Sequence, residues 1–290
     1  MLGAHKRTPP VFGVAVAATV FTVADLADVV YSAGAVFDGL RASRLDTENF
    51  LSSGSLEGIS SKSDRALLQG LRDLAQFIIG NRQPPVDSVY VRAVNEQITR
   101  SGPLHPGQHR AAARQIGVST HYGRHEPPAT NDRALQRIID RAMAEVGPRE
   151  QALELFVQIA KAQPFEDGNK RTALFLANSV LIRESKPEML VVPADENNPS
   201  KATRFNDLLA RAYVLGENEG VKDLLRVEGF RTHAGARTRT AVRQQSAAVE
   251  RIISRSFDPE QIDPPTTQPD ATTRLPESGD SSPEDRPAPR

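Results

Sequence analysis

The chain has 290 residues, with 36 basic and 36 acidic side chains in balance, so no global field draws it to nucleic acid or to anionic lipid. It contains no cysteine, which excludes thiolate metal sites, iron–sulfur clusters, thiol nucleophiles and disulfides, and suits a reducing compartment. Tryptophan is absent and aromatic residues make up 5%, a poor basis for stacking single-stranded nucleic acid, so no nucleic-acid partner is expected.

Positions 1–44 read as an N-terminal apolar helical segment. His5, Lys6 and Arg7 precede an apolar run from Val11 to Ala24, similar to the charged and hydrophobic regions of a signal peptide. The run falls short of the roughly 20 apolar residues that a membrane span needs. Asp25 and Asp28 end it, with no convincing small-residue cleavage site and no disulfide-rich domain behind it. A buried helix, an export or membrane signal and a start codon placed too early are the three readings. The first is preferred, and with it a cytoplasmic location.

Positions 45–230 read as one all-α domain. Leu67, Leu68, Leu71, Leu74 and Phe77 recur at helical spacing, as do Leu153, Phe156, Val157 and Ile159, and Leu174, Leu176, Val180 and Leu181. Gly80, Pro84-Pro85, Pro106-Gly107, Pro127-Pro128, Gly147-Pro148 and Pro187 leave helices of ordinary length between them. Two stretches look extended, Gln115 to Tyr122 and Met189 to Val192. Beyond the domain, 231–256 is Arg- and Ala-rich and reads as an exposed helix. Positions 257–290 are rich in Pro, Ser, Thr, Asp and Glu and are expected to be a disordered tail, because they bury too little to offset ordering.

The run Gln163-Pro164-Phe165-Glu166-Asp167-Gly168-Asn169-Lys170-Arg171 carries the chemistry. An amphipathic helix, Gln151 to Ala162, precedes it, and a second, about Asn169 to Arg183, follows. A glycine-containing acidic loop that opens a helix presents backbone N–H groups and the positive end of the helix dipole, which together make an anion site. Gly168 allows a backbone angle that a side chain would forbid. Asn169 can brace the loop or donate to a phosphate oxygen, and Arg171 offers a planar fork to phosphate. Asp167 is the hard oxygen ligand that a phosphate-bridging Mg²⁺ prefers. Phe165 is expected to point into the core. An ordinary helical corner, with Asp167 and Asn169 capping the second helix, is the alternative on residue chemistry alone.

This run resembles the motif of the Fic/Doc (Fido-domain) family, His-x-Phe-x-Asp/Glu-Gly-Asn-Gly/Lys-Arg, at Phe165, Asp167, Gly168, Asn169, Lys170 and Arg171. Upstream, Pro106-Gly107-Gln108-His109-Arg110 resembles the family's Pro-Gly-x-x-Arg segment, and positions 115–128 resemble its flap, a β-hairpin to which a target protein adds a strand. The resemblance implies an all-α Fic-type helical bundle with a small β-hairpin flap. It also implies a nucleotidyltransferase that uses ATP and Mg²⁺ to place AMP on a protein hydroxyl (AMPylation). In that scheme Asp167 holds the metal, Gly168, Asn169 and Lys170 line an anion hole, and Arg171 binds phosphate. The chain departs from the pattern at the general base: Gln163 stands at the histidine's place. An amide cannot take up the hydroxyl's proton, a service worth about 10²–10⁴-fold. A catalytically inactive regulator or interaction protein is therefore an alternative, although Gln163 could orient a water or hydroxyl. Lys170 is similar to the toxin-associated Doc branch, whose members phosphorylate their targets, so a Doc-like protein kinase is another. Ser53-Gly54-Ser55-Leu56-Glu57-Gly58 fits the family's inhibitory motif through Ser53 and Glu57, but Leu174 stands where the motif's second arginine would pair with the glutamate. A plain helix start at Ser53 or Ser55 is the alternative to a regulatory role for 53–58. His121 and His125, on the expected flap, are the histidines best placed to substitute at the base position, and a homodimer is left open.

Overall fold

The computed structural model describes residues 21–100, 105–113 and 115–233. The expectations for positions 1–20 and 257–290, and for all but the start of 231–256, lie outside the described residues. A 3-10 turn, Val23–Leu26, leads into α1 (Ala27–Phe37), α2 (Arg44–Ser53), α3 (Lys62–Gly80) and α4 (Ser88–Glu96). A hairpin of β1 (Val118–Thr120) and β2 (Gly123–His125) follows, then α5 (Asp132–Met143), α6 (Pro148–Ala162) and α7 (Asn169–Arg183). The chain continues through β3 (Glu188–Leu190), α8 (Ser200–Leu215), α9 (Asn218–Glu228) and β4 (Phe230–Thr232). The fold is all-α with a small β-hairpin, and no described helix is long and apolar enough to cross a membrane.

The helical hairpin of α6 and α7 forms the centre. Every residue of α7 from Arg171 to Ile182 is buried, polar Asn178 and Ser179 included, and Leu153, Phe156 and Val157 of α6 belong to the same core. Proline at the first position of α6 follows Gly147, whose positive φ of 88° turns the chain into the helix. α3 and α4 cover α7 with the stripes Leu67, Leu71, Leu74, Ile78 and Tyr90, Val91, Val94. α1 belongs to the same core. Val29, Val30 and Ala33 are fully buried, and α1 contacts α2, α3 and α7, so the described part of the 1–44 stretch is continuous with the bundle.

Four helices begin on capping side chains. Ser43, Ser61, Asp87 and Asn131 each accept a hydrogen bond from a backbone N–H of the first turn of α2, α3, α4 and α5. α7 begins differently: its N-cap is Gly168, which has no side chain to offer. The two sheets are both antiparallel pairs. In the first, Val118 faces His125 and Thr120 faces Gly123, with His121 and Tyr122 at the turn, so a hairpin occupies the expected flap. In the second, β3 lies at the extended stretch read at Met189, and its partner β4 takes up Arg231 and Thr232, the first residues of the stretch expected to be helical. That pairing joins segments some forty residues apart, and the short β4 carries no local alternation of its own.

Candidate functional site

The segment from Gln163 to Gly168 is held from several sides. Gln163 ends α6 in the left-handed region, at φ 44° and ψ 60°, a conformation that costs a non-glycine residue about 1–2 kcal/mol. Arg110 compensates. Its backbone N–H donates to the Pro164 carbonyl at 3.0 Å, its Nε to the Gln163 carbonyl at 3.0 Å, and its Nη2 to the Pro127 carbonyl just beyond the hairpin. Phe165 is buried and stacks on His109. Asn169 then closes the loop onto the helix: its Oδ1 accepts from Phe165 N and its Nδ2 donates to the Phe165 carbonyl, each at 2.9 Å.

Gly168 sits at φ 74°, an angle that favours glycine, and a Cβ there would push Ile98 Cδ1, 2.4 Å away, aside. Beside it, fully buried Asn95 of α4 donates through Nδ2 to the Asp167 carbonyl (3.1 Å) and to Thr172 Oγ1 (3.0 Å), and accepts from Gly107 N through Oδ1 (2.9 Å). Sequence reasoning missed this residue. The available signal was a polar side chain among Tyr90, Val91, Val94 and Ile98, where burial demands partners.

These contacts leave the start of α7 without a side-chain cap at the wall of a cavity of about 740 Å³, a volume suited to a nucleotide-sized ligand. Gln163 and Glu166 through Arg171 line one side, residues 116–121 of the hairpin another, and Asp207 and Tyr213 of α8 a third. Val36, Phe37 and Asp38, at the end of α1, complete it. Thus Gln163, Asp167, Gly168, Asn169, Lys170 and Arg171 all come together. Gln163 is 6% exposed, and its side-chain amide makes no hydrogen bond among the described residues. Ser53 and Glu57 do not join them: both are exposed, at and beyond the C-terminus of α2, and neither lines the cavity. Glu57 donates its backbone N–H to Ser55 Oγ at 3.2 Å and forms no ion pair among the described residues.

Electrostatically the cavity is cationic at the helix start with carboxylates close by. Arg171 Nη2 lies 3.0 Å from Asp167 Oδ2, and its Nε 3.5 Å from Asp38 Oδ2. Lys170 Nζ lies over the Phe37 ring at 5.0 Å. Burial pushes the Lys170 ammonium below the ordinary lysine range, and Arg171 adds to this while Asp38 opposes it. Burial likewise pushes the Asp38 carboxyl up, with Arg171 and Lys170 opposing and Asp167 reinforcing. Asp38 escaped the sequence reading because nothing local marks it. Tyr213, held well above the usual tyrosine range by burial, stays protonated, and its hydroxyl has no partner among the described residues.

The hairpin wall is fastened through side chains. Tyr122 donates to Asp207 at 2.9 and 3.2 Å, and His121 Nε2 lies 3.0 Å from Asp207 Oδ1. His125 Nε2 meets the Lys161 carbonyl at 2.7 Å, and its ring stacks on Tyr213.

Among the described residues no cluster of three or more His, Cys, Asp or Glu is arranged to hold a metal alone. Asp167, half-exposed and lining the cavity, nevertheless fits Mg²⁺, which needs one or two carboxylates when phosphates and water complete its shell.

Residues 85–181 match the family model described as Fic/DOC family. Among solved structures, the chain is similar in fold to the 134–508 fragment of Fic-1 from C. elegans, at 17% identity and a TM-score of 0.54, over 75% of this chain and 63% of that one. It is also similar to a Fic-domain-containing signaling protein from Bacteroides thetaiotaomicron, at 20% identity and a TM-score of 0.50, over 69% of this chain and 82% of that one. At these identities the likeness is one of fold, and the chain spans less than two thirds of the Fic-1 fragment. No curated protein matches the chain.

Proposed function

We propose that this chain, which belongs to the Fic/DOC family through residues 85–181, binds ATP with Mg²⁺ and transfers AMP to a hydroxyl of a target protein. The observation that carries the reading is the start of α7. It opens at the cavity without a side-chain cap, and its first turn supplies both Lys170 and Arg171. Backbone N–H groups there can bind phosphate oxygens, and the Arg171 fork can take two at once. Asp167 would hold Mg²⁺, whose charge offsets that building on the phosphates in transfer. Asn169 serves by bracing the loop, its amide being spent on Phe165. A target segment can lie along the open edge of the two-stranded hairpin and bring its hydroxyl to the cavity.

Gln163 favours a second reading, a nucleotide-binding regulator without transfer, because its buried amide cannot accept a proton at neutral pH. Lys170 keeps phosphate transfer, as in the Doc branch, as a variant of the first. ATP labelled at the α- or the γ-phosphate, incubated with the protein, Mg²⁺ and cell lysate, separates these readings. Protein label from α-labelled ATP, lost in Asp167→Ala, supports AMP transfer. Label from the γ-position alone supports phosphate transfer, and no label with intact ATP binding supports the regulator.

A further inference from the structure

We infer that His121, positioned by Asp207, is the general base that position 163 lacks. The inference rests on the transfer reading above and goes beyond it, by assigning the proton acceptor to the hairpin wall.

Transfer to an alcohol requires a group that takes the hydroxyl proton as the oxygen attacks. Five histidines are described: His105, His109, His121, His125 and His233. His121 is the only one of them that lines the cavity. The others are committed elsewhere. His105 lies 3.5 Å from Glu166, His109 binds Asp132 at 2.8 Å, His125 binds the Lys161 carbonyl, and His233 is buried against Asp25. The carboxylates of the cavity are less suited to the task, because Asp38 and Asp167 lie against Arg171, Glu166 lies against His105, and Asp207 accepts from Tyr122.

His121 has a carboxylate beside it, in an ion-pair contact without hydrogen-bond alignment. Nε2 lies 3.0 Å from Asp207 Oδ1, which leaves Nδ1 to act, and Nδ1 has no hydrogen bond among the described residues. Asp207 is itself fixed by the Tyr122 hydroxyl at 2.9 Å, and the Tyr122 ring lies 3.9 Å from that of His121. A carboxylate beside an imidazole stabilises the imidazolium that forms. From α8, Arg211 also approaches, over the Tyr122 ring at 5.7 Å, but its charge is held by Glu217 at 2.8 Å. Across the cavity stand Asp38, Glu166, Asp167, Lys170 and Arg171. His121 is 66% exposed and occupies the turn that follows β1, so a strand laid along the hairpin can deliver a hydroxyl to an accessible ring.

The step balances without a further reactant. The target oxygen forms a bond to the α-phosphorus of ATP as its proton passes to Nδ1. The bond from that phosphorus to the bridging oxygen breaks, and pyrophosphate leaves with the electron pair. The imidazolium then returns its proton to solvent.

The test uses the full chain, calorimetry with Mg·ATP, and label transfer from α-labelled ATP to lysate proteins between pH 5.5 and 8.5. His121→Gln is expected to bind ATP within about 3-fold of the wild type and to transfer label about 100-fold more slowly. Asp207→Asn, a positioning change, is expected to slow transfer about 10-fold and to move the acid limb of the pH profile downward, which a merely structural role would not do. Adding Gln163→His to His121→Gln is expected to restore transfer. Transfer by His121→Gln within 3-fold of the wild type overturns the inference and leaves the transfer reading standing. Loss of ATP binding in His121→Gln overturns it by assigning the ring to binding. A wild type that binds ATP but transfers nothing at any pH overturns it in favour of the regulator, and a wild type that binds no ATP sinks the nucleotide reading itself.

Discussion

The two walls of the cavity are built on different principles. The wall from Gln163 to Arg171 is held by a buried network. Arg110, Asn95 and Asn169 bind its backbone from three directions, and Gly168 takes the positive φ that its turn needs. The hairpin wall is two strands of three residues each, fastened to the bundle by exposed or half-exposed side chains such as His121 and Asp207. Buried hydrogen-bonded networks are costly to breach, whereas exposed pairs contribute little to stability. The first wall is therefore suited to holding an anion in fixed geometry, and the second to admitting different partners.

The sharpest way to break that comparison is to cut the network. Asn95→Ala removes three hydrogen bonds and strands buried partners, which should cost about 2–4 kcal/mol in urea unfolding and abolish measurable ATP binding. A loss below about 0.5 kcal/mol would mean that the loop is not held by this residue. Next comes Asp38→Asn. Its carboxylate competes with phosphate for Arg171, so its neutralisation should tighten ATP binding by about 3- to 30-fold in calorimetry. The same variant carries a pH signature. Because burial raises the folded Asp38 value, its contribution to stability is full below the ordinary carboxylate range and is lost as pH rises through the raised value. Asp38→Asn should therefore be more stable than the wild type at pH 7, and the advantage should vanish on acidification; unfolding midpoints at pH 7 and pH 4 check both. The smallest effect belongs to the hairpin. Tyr122→Phe, which removes one partner of Asp207, should change stability by about 1 kcal/mol or less while leaving ATP affinity unchanged.

The same contrast governs what the sequence disclosed. The start and end of α7 were legible because a glycine, a polar first turn and an apolar run lie together in the chain, and the 163–171 run, read against the family pattern, marked its site. The first strand of the hairpin was legible as an extended stretch, and its return strand only through the family resemblance. What remained hidden were side chains that act at long range. Asn95 reaches residues more than 70 positions away, and Asp38 follows α1, in a stretch read only as an N-terminal apolar segment. The Ser53–Glu57 motif shows the converse: its spacing is local, but the turn beyond α2 holds Glu57 in solvent, away from the cavity. β4 was hidden for the reason Asn95 was, since its structure is set by a partner distant in the chain.

The central claim is that the entry to α7 holds a nucleotide's phosphates, and calorimetric titration of the wild type and Arg171→Ala with Mg·ATP tests it most directly. The account predicts one site per chain in the wild type and affinity weakened by about 10- to 100-fold when the bidentate fork is removed. Equal affinities in the two proteins, or no binding by the wild type at millimolar ATP, would contradict it.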